Sequence, residues 1–297
     1  MKWPNNKLLI IISLALLLSG CNIQINDTAP VAENQTNNTV SEQPVSSETR
    51  IHYLDVGQGD AVLVQSAGQN MLIDAGDNSH GQQVVDYLEA MGVEQLDIIV
   101  GTHPHADHIG GMDTVLQAFP VKAVYMPRIS HTSASFRDVL NAIEEQNLKI
   151  NTARAGTILP LTGVKAEILA PVKDNYEDLN NYSAVIRIVC GKRAFLFMGD
   201  AEKEAEADLL ATGTDLKADV LKVGHHGSNS STSEPFLSSV KPQYAIIMLG
   251  ADNPYGHPHT ETLKRLNRSG IKILRTDLNG TIIITTDGNS LQIETDR

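Results

Sequence analysis

The chain has 297 residues, 41% hydrophobic and 20% charged, a composition that excludes disorder as its dominant state and supplies enough apolar material for a full core. Its net charge of −12, with no block of Lys or Arg, excludes a passive, high-affinity nucleic-acid coat, because such binding rests on many cation–phosphate contacts. Setting aside Lys2, Lys7, Asp27, Glu33, Glu42 and Glu48 of the N-terminal segment leaves 21 basic against 31 acidic residues, so an anionic substrate needs local positive charge that bound metal ions could supply.

Lys2 and Lys7 precede an apolar run, Leu8 to Leu18, broken only by Ser13 and followed by the small residues Ser19 and Gly20. That is the plan of a secretory signal peptide, and the run is shorter than the roughly 20 apolar residues of a membrane-spanning helix. Leu18-Ser19-Gly20-Cys21 resembles the bacterial lipobox, in which the cysteine becomes the lipidated first residue of the mature protein. Residues 1–21 are therefore expected to be a lipoprotein signal peptide, with a lipid on Cys21 holding the protein to the outer face of the bacterial cell membrane. Cys190 is then left without a disulfide partner and reads as a small buried hydrophobe. Residues 22–49 are rich in Asn, Thr, Ser, Gln and Glu, contain Pro30 and Pro44, and read as a disordered polar linker. Residues 50–297 are expected to form one domain of about 250 residues.

Within that domain, short β-branched runs at 51–54, 61–64 and 71–73 read as strands, closely spaced and so antiparallel neighbours. Further strands are expected at 97–100, 123–125, 164–169, 185–189, 194–198, 220–223, 245–249, 271–274 and 282–284. Helical spacing marks 82–91, 111–118, 135–146, 201–210, 234–240 and 260–268. This alternation predicts an α/β (α+β) fold of two sheets covered by helices.

Thr102-His103-Pro104-His105-Ala106-Asp107-His108 follows directly on the strand-like run ending at Val100, so four potential metal ligands crowd one turn at a strand end. Imidazole and carboxylate suit zinc and similar divalent ions, and strand ends hold such groups on a rigid base. In a turn, residues two apart reach one ion while the adjacent Asp107-His108 pair reaches a second. Asp74 and Asp200 each end a strand-like run beside a glycine, and His225-His226 follow Val220 to Val223. Seven of the ten histidines fall in the clusters 103–108, 225–226 and 257–259, which a scattered surface distribution would rarely produce. Asp55-Val56-Gly57-Gln58-Gly59-Asp60 offers too few oxygens for a Ca²⁺ loop and reads as a tight turn placing Asp60 or Gln58 near the metal edge.

Asp74, His103-x-His105-x-Asp107-His108, Asp200 and His225-His226 resemble, in order and kind, the motifs of the metallo-β-lactamase superfamily. Leu54-Asp55-Val56-Gly57-Gln58-Gly59-Asp60-Ala61, Leu221-Lys222-Val223-Gly224-His225-His226-Gly227-Ser228 and Tyr255-Gly256-His257-Pro258-His259 are similar to the hydrolase domain of ComEC-type competence proteins and their stand-alone relatives. The resemblance covers nearly all of residues 50–297. It implies a four-layer αββα sandwich with a centre of two divalent ions, Zn or Mn, at one edge of the sheets. It gives His103 and His105 to one ion, Asp107 and His108 to the other, Asp200 as the bridge, His226 as a further ligand and Asp74 as the group that orients a ligating imidazole. Asp107 would also hold the attacking water, and His225 would contact phosphate or donate a proton. The family's middle histidine is missing: only His131 lies between the cluster and Asp200, and Asn181 and Ser183 occupy roughly that place, which leaves the His103/His105 site short of one strong donor. His257 or His259 would be candidates to fill it.

The function these features imply is hydrolysis of a phosphodiester by a metal-activated water, with DNA at the cell surface as the substrate the resemblance points to. Lys222, Lys264, Arg265 and Arg268 lie near the motifs as a candidate small basic patch. The alternatives are a cell-envelope phosphodiesterase or phosphorylcholine esterase and, in another class, a surface-tethered metal-dependent binding protein without turnover. A β-lactamase is disfavoured, since fold does not fix substrate. No obligate protein partner is evident.

Overall fold

The computed structural model describes residues 48–297; the expected signal peptide, Cys21 and almost all of the expected linker lie outside the described residues. Among the described residues no helix is long and apolar enough to cross a membrane. The strands, in chain order, are β1 (Thr49–Tyr53), β2 (Val62–Ser66), β3 (Gln69–Ile73), β4 (Leu96–Val100), β5 (Val121–Met126), β6 (Ile150–Thr152), β7 (Thr157–Leu159), β8 (Lys165–Ala170), β9 (Val185–Cys190), β10 (Arg193–Phe197), β11 (Val220–Lys222), β12 (Tyr244–Ile247), β13 (Lys272–Arg275), β14 (Ile282–Thr286) and β15 (Gln292–Thr295). They form two sheets, ordered β15-β14-β1-β2-β3-β4-β5-β6 and β13-β12-β11-β10-β9-β8-β7. As expected, β1, β2 and β3 pair antiparallel. The strands that carry the site, β3–β4 in one sheet and β10–β11–β12 in the other, pair parallel and so deliver their following loops to the same edge.

Period-2 alternation explains the layering, because successive strand residues face opposite sides. In β4, Ile98 and Val100 enter the core between the sheets, whereas Ile99 between them faces a second cluster. In β10, Phe195 and Phe197 meet them from the other sheet, and Ala194 and Leu196 face outward. The outer face of the first sheet is covered by α1 (Gly81–Ala90), α3 (Met112–Ala118) and α4 (Ala134–Glu145), with α2 (Ala106–Ile109) lying between α1 and α3 in the chain. The outer face of the second is covered by α5 (Lys203–Ala211), α6 (Glu234–Val240) and α7 (Thr260–Arg268), and a last short helix, α8 (Thr276–Asn279), precedes β14. The result is the αββα sandwich. α4 shows the local logic: Ser133 Oγ accepts the Phe136 N–H as its cap at 3.2 Å, and Phe136, Val139 and Ile143 form its buried stripe.

Of the six expected helices, α6 and α7 appear with the expected bounds, and the other four start one or two residues away. The largest shift is at 201–210, where the helix opens only at Lys203 because Ala201 and Glu202 belong to the turn that presents Asp200. Not foreseen are β6, β7, β15, α2 and α8, all of three or four residues. Cys190 ends β9, buried and free, as expected.

Candidate metal centre

Asp74 follows β3, the His103–His108 turn follows β4, Asp200 follows β10, His225 and His226 follow β11, and Met248 follows β12. Asp74, His225 and His226 all adopt left-handed backbone conformations, with φ of 58°, 47° and 50°. Such conformations cost of order 1–3 kcal/mol each in a residue other than glycine and persist where the surroundings over-determine them. Gly59 holds the other side: Asp60 N–H donates to the Asp107 carbonyl at 3.1 Å, and a Cβ on Gly59 would collide with that same oxygen.

Four side chains converge. One ligand atom from each of Asp107, His108, Asp200 and His226 lies within 4.8 Å of the others. His108 Nε2 is 3.2 Å from Asp200 Oδ1, and His226 Nε2 is 3.2 Å from Asp107 Oδ2 and 3.5 Å from Asp200 Oδ2. The far nitrogens are tied down: His108 Nδ1 donates to Asp74 Oδ2 at 2.9 Å and His226 Nδ1 to the Met248 carbonyl at 2.8 Å. Asp74 is itself fixed by the Thr102 N–H and hydroxyl, both at 2.7 Å. That backing fixes the tautomers and aims both Nε2 atoms inward. His108 Nε2, His226 Nε2 and Asp200 Oδ1 are buried with no hydrogen-bond partner, as expected of groups arranged for an ion.

The charge balance agrees. Asp60, Asp74, Asp107 and Asp200 face one ammonium, Lys222, which is 1% exposed, contacts Asp60 Oδ2 and donates to the Gly199 carbonyl at 2.9 Å. Burial disfavours His108's charged form, yet the surrounding carboxylates raise its pKa well above the ordinary histidine value. Burial likewise raises Asp60, against the pull of Lys222 and the histidines. Such an excess of buried negative charge is stable when cations join it, so the donor set fits a divalent metal.

The remaining expected residues divide. His103 is fully buried, but its Nε2 is 3.0 Å from His105 Nδ1 and 3.9 Å from Asp200 Oδ2, and its Nδ1 faces the Thr102 hydroxyl at 3.1 Å and Ser183 Oγ at 3.4 Å. Ser183 also accepts the Asp200 N–H at 3.0 Å. Asn181 does not take the missing histidine's place: its Oδ1 accepts the Glu202 and Ala205 N–H groups, fastening the start of α5. His259 accepts the Asn229 N–H at 2.9 Å and so holds a loop, whereas His257 lies 5.4 Å from the His225 ring and 6.3 Å from His226. Burial and then the charges of His225 and His226 push His257 down to about 4. His225 directs Nδ1 at Glu202 Oε1, 2.8 Å away, and has Nε2 3.8 Å from Asp200 Oδ2. Lys222 is not part of a surface patch, because it is buried beneath the centre, and Lys264 and Arg265 are engaged by Glu261 and by the Ser231 and Thr232 carbonyls. Sequence reasoning missed Glu202 and the Asp60–Lys222 pair. The Gly-rich turn carried the only signal for Asp60, and Glu202 carried none.

A cavity of about 360 Å³ opens on this cluster, lined by His105, Asp107, His225, His226, His257 and Tyr255 among others. Residues 54–251 match the metallo-beta-lactamase superfamily. The chain belongs to the metallo-β-lactamase superfamily. With that fold and the His–Asp cluster, it is a metal-dependent hydrolase resembling ComEC-type competence proteins. It is 36% identical to ComE operon protein 3 of Bacillus subtilis over 80% of this chain and 33% of that protein. It is 35% identical to competence protein ComA of Neisseria gonorrhoeae over 80% of this chain and 32% of that one. The chain thus spans about a third of the length of these relatives. Among solved structures, the metallo-beta-lactamase fold protein YhfI from Bacillus subtilis superposes with a TM-score of 0.55 at 12% identity, covering 80% of this chain and all of that one. The diiron β-hydroxylase CmlA from Streptomyces venezuelae gives 0.54 at 13% identity over 82% of this chain and 55% of that one, a likeness of fold alone.

Proposed function

We propose that this superfamily member is a phosphodiesterase that cleaves DNA at the outer cell surface, anchored by a lipid on Cys21. The observation that carries the reading is the convergence of Asp107, His108, Asp200 and His226 beneath an open cavity, with His108 Nε2, Asp200 Oδ1 and His226 Nε2 buried and unpartnered. Divalent ions bound there, Zn or Mn, supply Lewis acidity toward a phosphoryl oxygen and lower the pKa of water. In this reading His103 and His105 are the residues that would hold a second ion beside Asp200. Asp107, whose side chain is 30% exposed, is the most exposed member of the quartet in the cavity and orients the attacking water. His225, its Nδ1 held by Glu202, presents Nε2 to the same space and protonates the departing oxygen. Tyr255, 61% exposed and stacked on His257 with ring centroids 5.6 Å apart, offers a flat face to a nucleobase at the cavity mouth. The names of the competence relatives support DNA over a small envelope diester.

The test is to supply the metal-stripped domain with Mn²⁺ or Zn²⁺ and offer single-stranded DNA, duplex DNA and bis-p-nitrophenyl phosphate. DNA cleavage that disappears in Asp107→Ala is the expected result. Cleavage of the small diester alone would favour an envelope phosphodiesterase, and no cleavage of any substrate would favour a binding protein.

A further inference from the structure

The parallel strands that end at the metal centre begin at an edge of opposite character. Lys192 precedes β10, Lys217 precedes β11, Lys241 precedes β12 and Lys272 opens β13. All four are exposed. The ammonium groups of Lys192, Lys217 and Lys241 have neither an ion-pair nor a hydrogen-bond partner among the described residues, and that of Lys272 lies over the Tyr244 ring, 5.4 Å from its centroid. Lys192, Lys217 and Lys241 line one cavity of about 310 Å³ together with Arg187. The acidic neighbours are already engaged: Asp215 by Arg187 and Asp219 by Arg193, each at 2.9 Å, and Asp287 by the N–H groups of Asn289 and Ser290. A chain of net charge −12 therefore leaves a cluster of uncompensated lysines at this edge.

The described chain also starts here. Thr49, the first residue of β1, has its Oγ1 3.5 Å from Cys190 Sγ, two residues before Lys192. Whatever precedes residue 48 joins the domain at the basic edge and not at the catalytic one.

We propose that this edge, built on Lys192, Lys217 and Lys241, seats the domain on an anionic phospholipid surface, so that the metal centre faces away from the membrane toward its substrate. A nucleic-acid track would instead be expected to run into the cavity over the metal ligands, which lie at the other ends of the same strands. The setting rests on the lipid-tether reading, but the contact itself does not: lysines within a Debye length of an anionic leaflet each add roughly fivefold to partitioning, whatever the anchor.

Residues 48–297 contain both sheets and all three apolar clusters, so this domain folds without the preceding segment. Its sedimentation with phosphatidylglycerol-containing vesicles and with pure phosphatidylcholine vesicles tests the proposal, beside a single-stranded oligonucleotide. The expected result is salt-sensitive binding to the anionic vesicles alone, reduced on the order of a hundredfold in the triple variant K192Q/K217Q/K241Q, with hydrolysis of a soluble diester unchanged. Equal binding to both vesicle types, no binding, or binding that survives the triple substitution would overturn it. Lysine-dependent binding to the oligonucleotide in place of vesicles would overturn it too, and would reassign the face to nucleic acid. Mass spectrometry of the full chain extracted from membranes reads the Cys21 lipid separately, so loss of the tether and loss of the basic contact are told apart.

Discussion

The two halves of the metal centre come from one short motif and end in different states. His108, joined by Asp107, Asp200 and His226, has its outer nitrogen held by Asp74 and its inner nitrogen free. His103, five residues earlier on the same turn, has one nitrogen against His105 and the other facing two hydroxyls, with Asn181 turned away toward α5. Motif spacing treats the two as equals, whereas the supporting residues make the quartet a preorganised site and leave the pair a weaker one. Ligand number and backing, more than ligand identity, set the difference.

Removing a quartet ligand should have the largest effect. His226→Ala is expected to lower kcat/KM on the order of 10³-fold and to abolish tight metal binding, whereas His105→Ala lowers activity about 10- to 100-fold and keeps one tight ion. Steady-state rates with measured metal content check both. Lys222→Met leaves the Asp60 carboxylate buried without its cation and should cost about 3–5 kcal/mol of stability, read by urea denaturation. Replacing both partners, as D60N/K222M, should restore most of that loss, and an equal loss in the double variant would show that the pair does not act as a unit.

That pair also marks where legibility ended. Asp107, His108 and His226 could be read from the sequence because ligand-type residues cluster at the ends of apolar runs, and the same runs, interspersed with helical segments, pointed to two sheets covered by helices, which the family resemblance extended to the four-layer sandwich. Asp60 and Lys222 are far apart in the chain, and each has an ordinary local explanation, a turn residue and a surface lysine. Only the packing of one sheet on the other makes them partners. The left-handed backbone at His225 and His226 had no signal either, since histidine carries no preference strong enough to announce it. β6 was missed because Ile150, Asn151 and Thr152 are all exposed, so there is no buried face to impose alternation.

Smaller changes sharpen the contrast. Asp74→Asn keeps the shape but weakens the acceptor behind His108, and should reduce metal affinity about 10- to 100-fold in an equilibrium titration. An effect of that size on the His103/His105 site instead would reverse the ranking of the two halves. Tyr255→Ala should raise KM for an oligonucleotide about fivefold or more, in line with roughly 1–3 kcal/mol per stacked base, and leave hydrolysis of bis-p-nitrophenyl phosphate nearly unchanged.

The central claim, that the quartet is the principal ion-holding site, is tested most directly by the metal bound per chain after dialysis against a weak chelator. The account predicts one ion retained in the native domain and in H103A/H105A, and none in H108A/H226A. Retention in H108A/H226A with loss in H103A/H105A would contradict it.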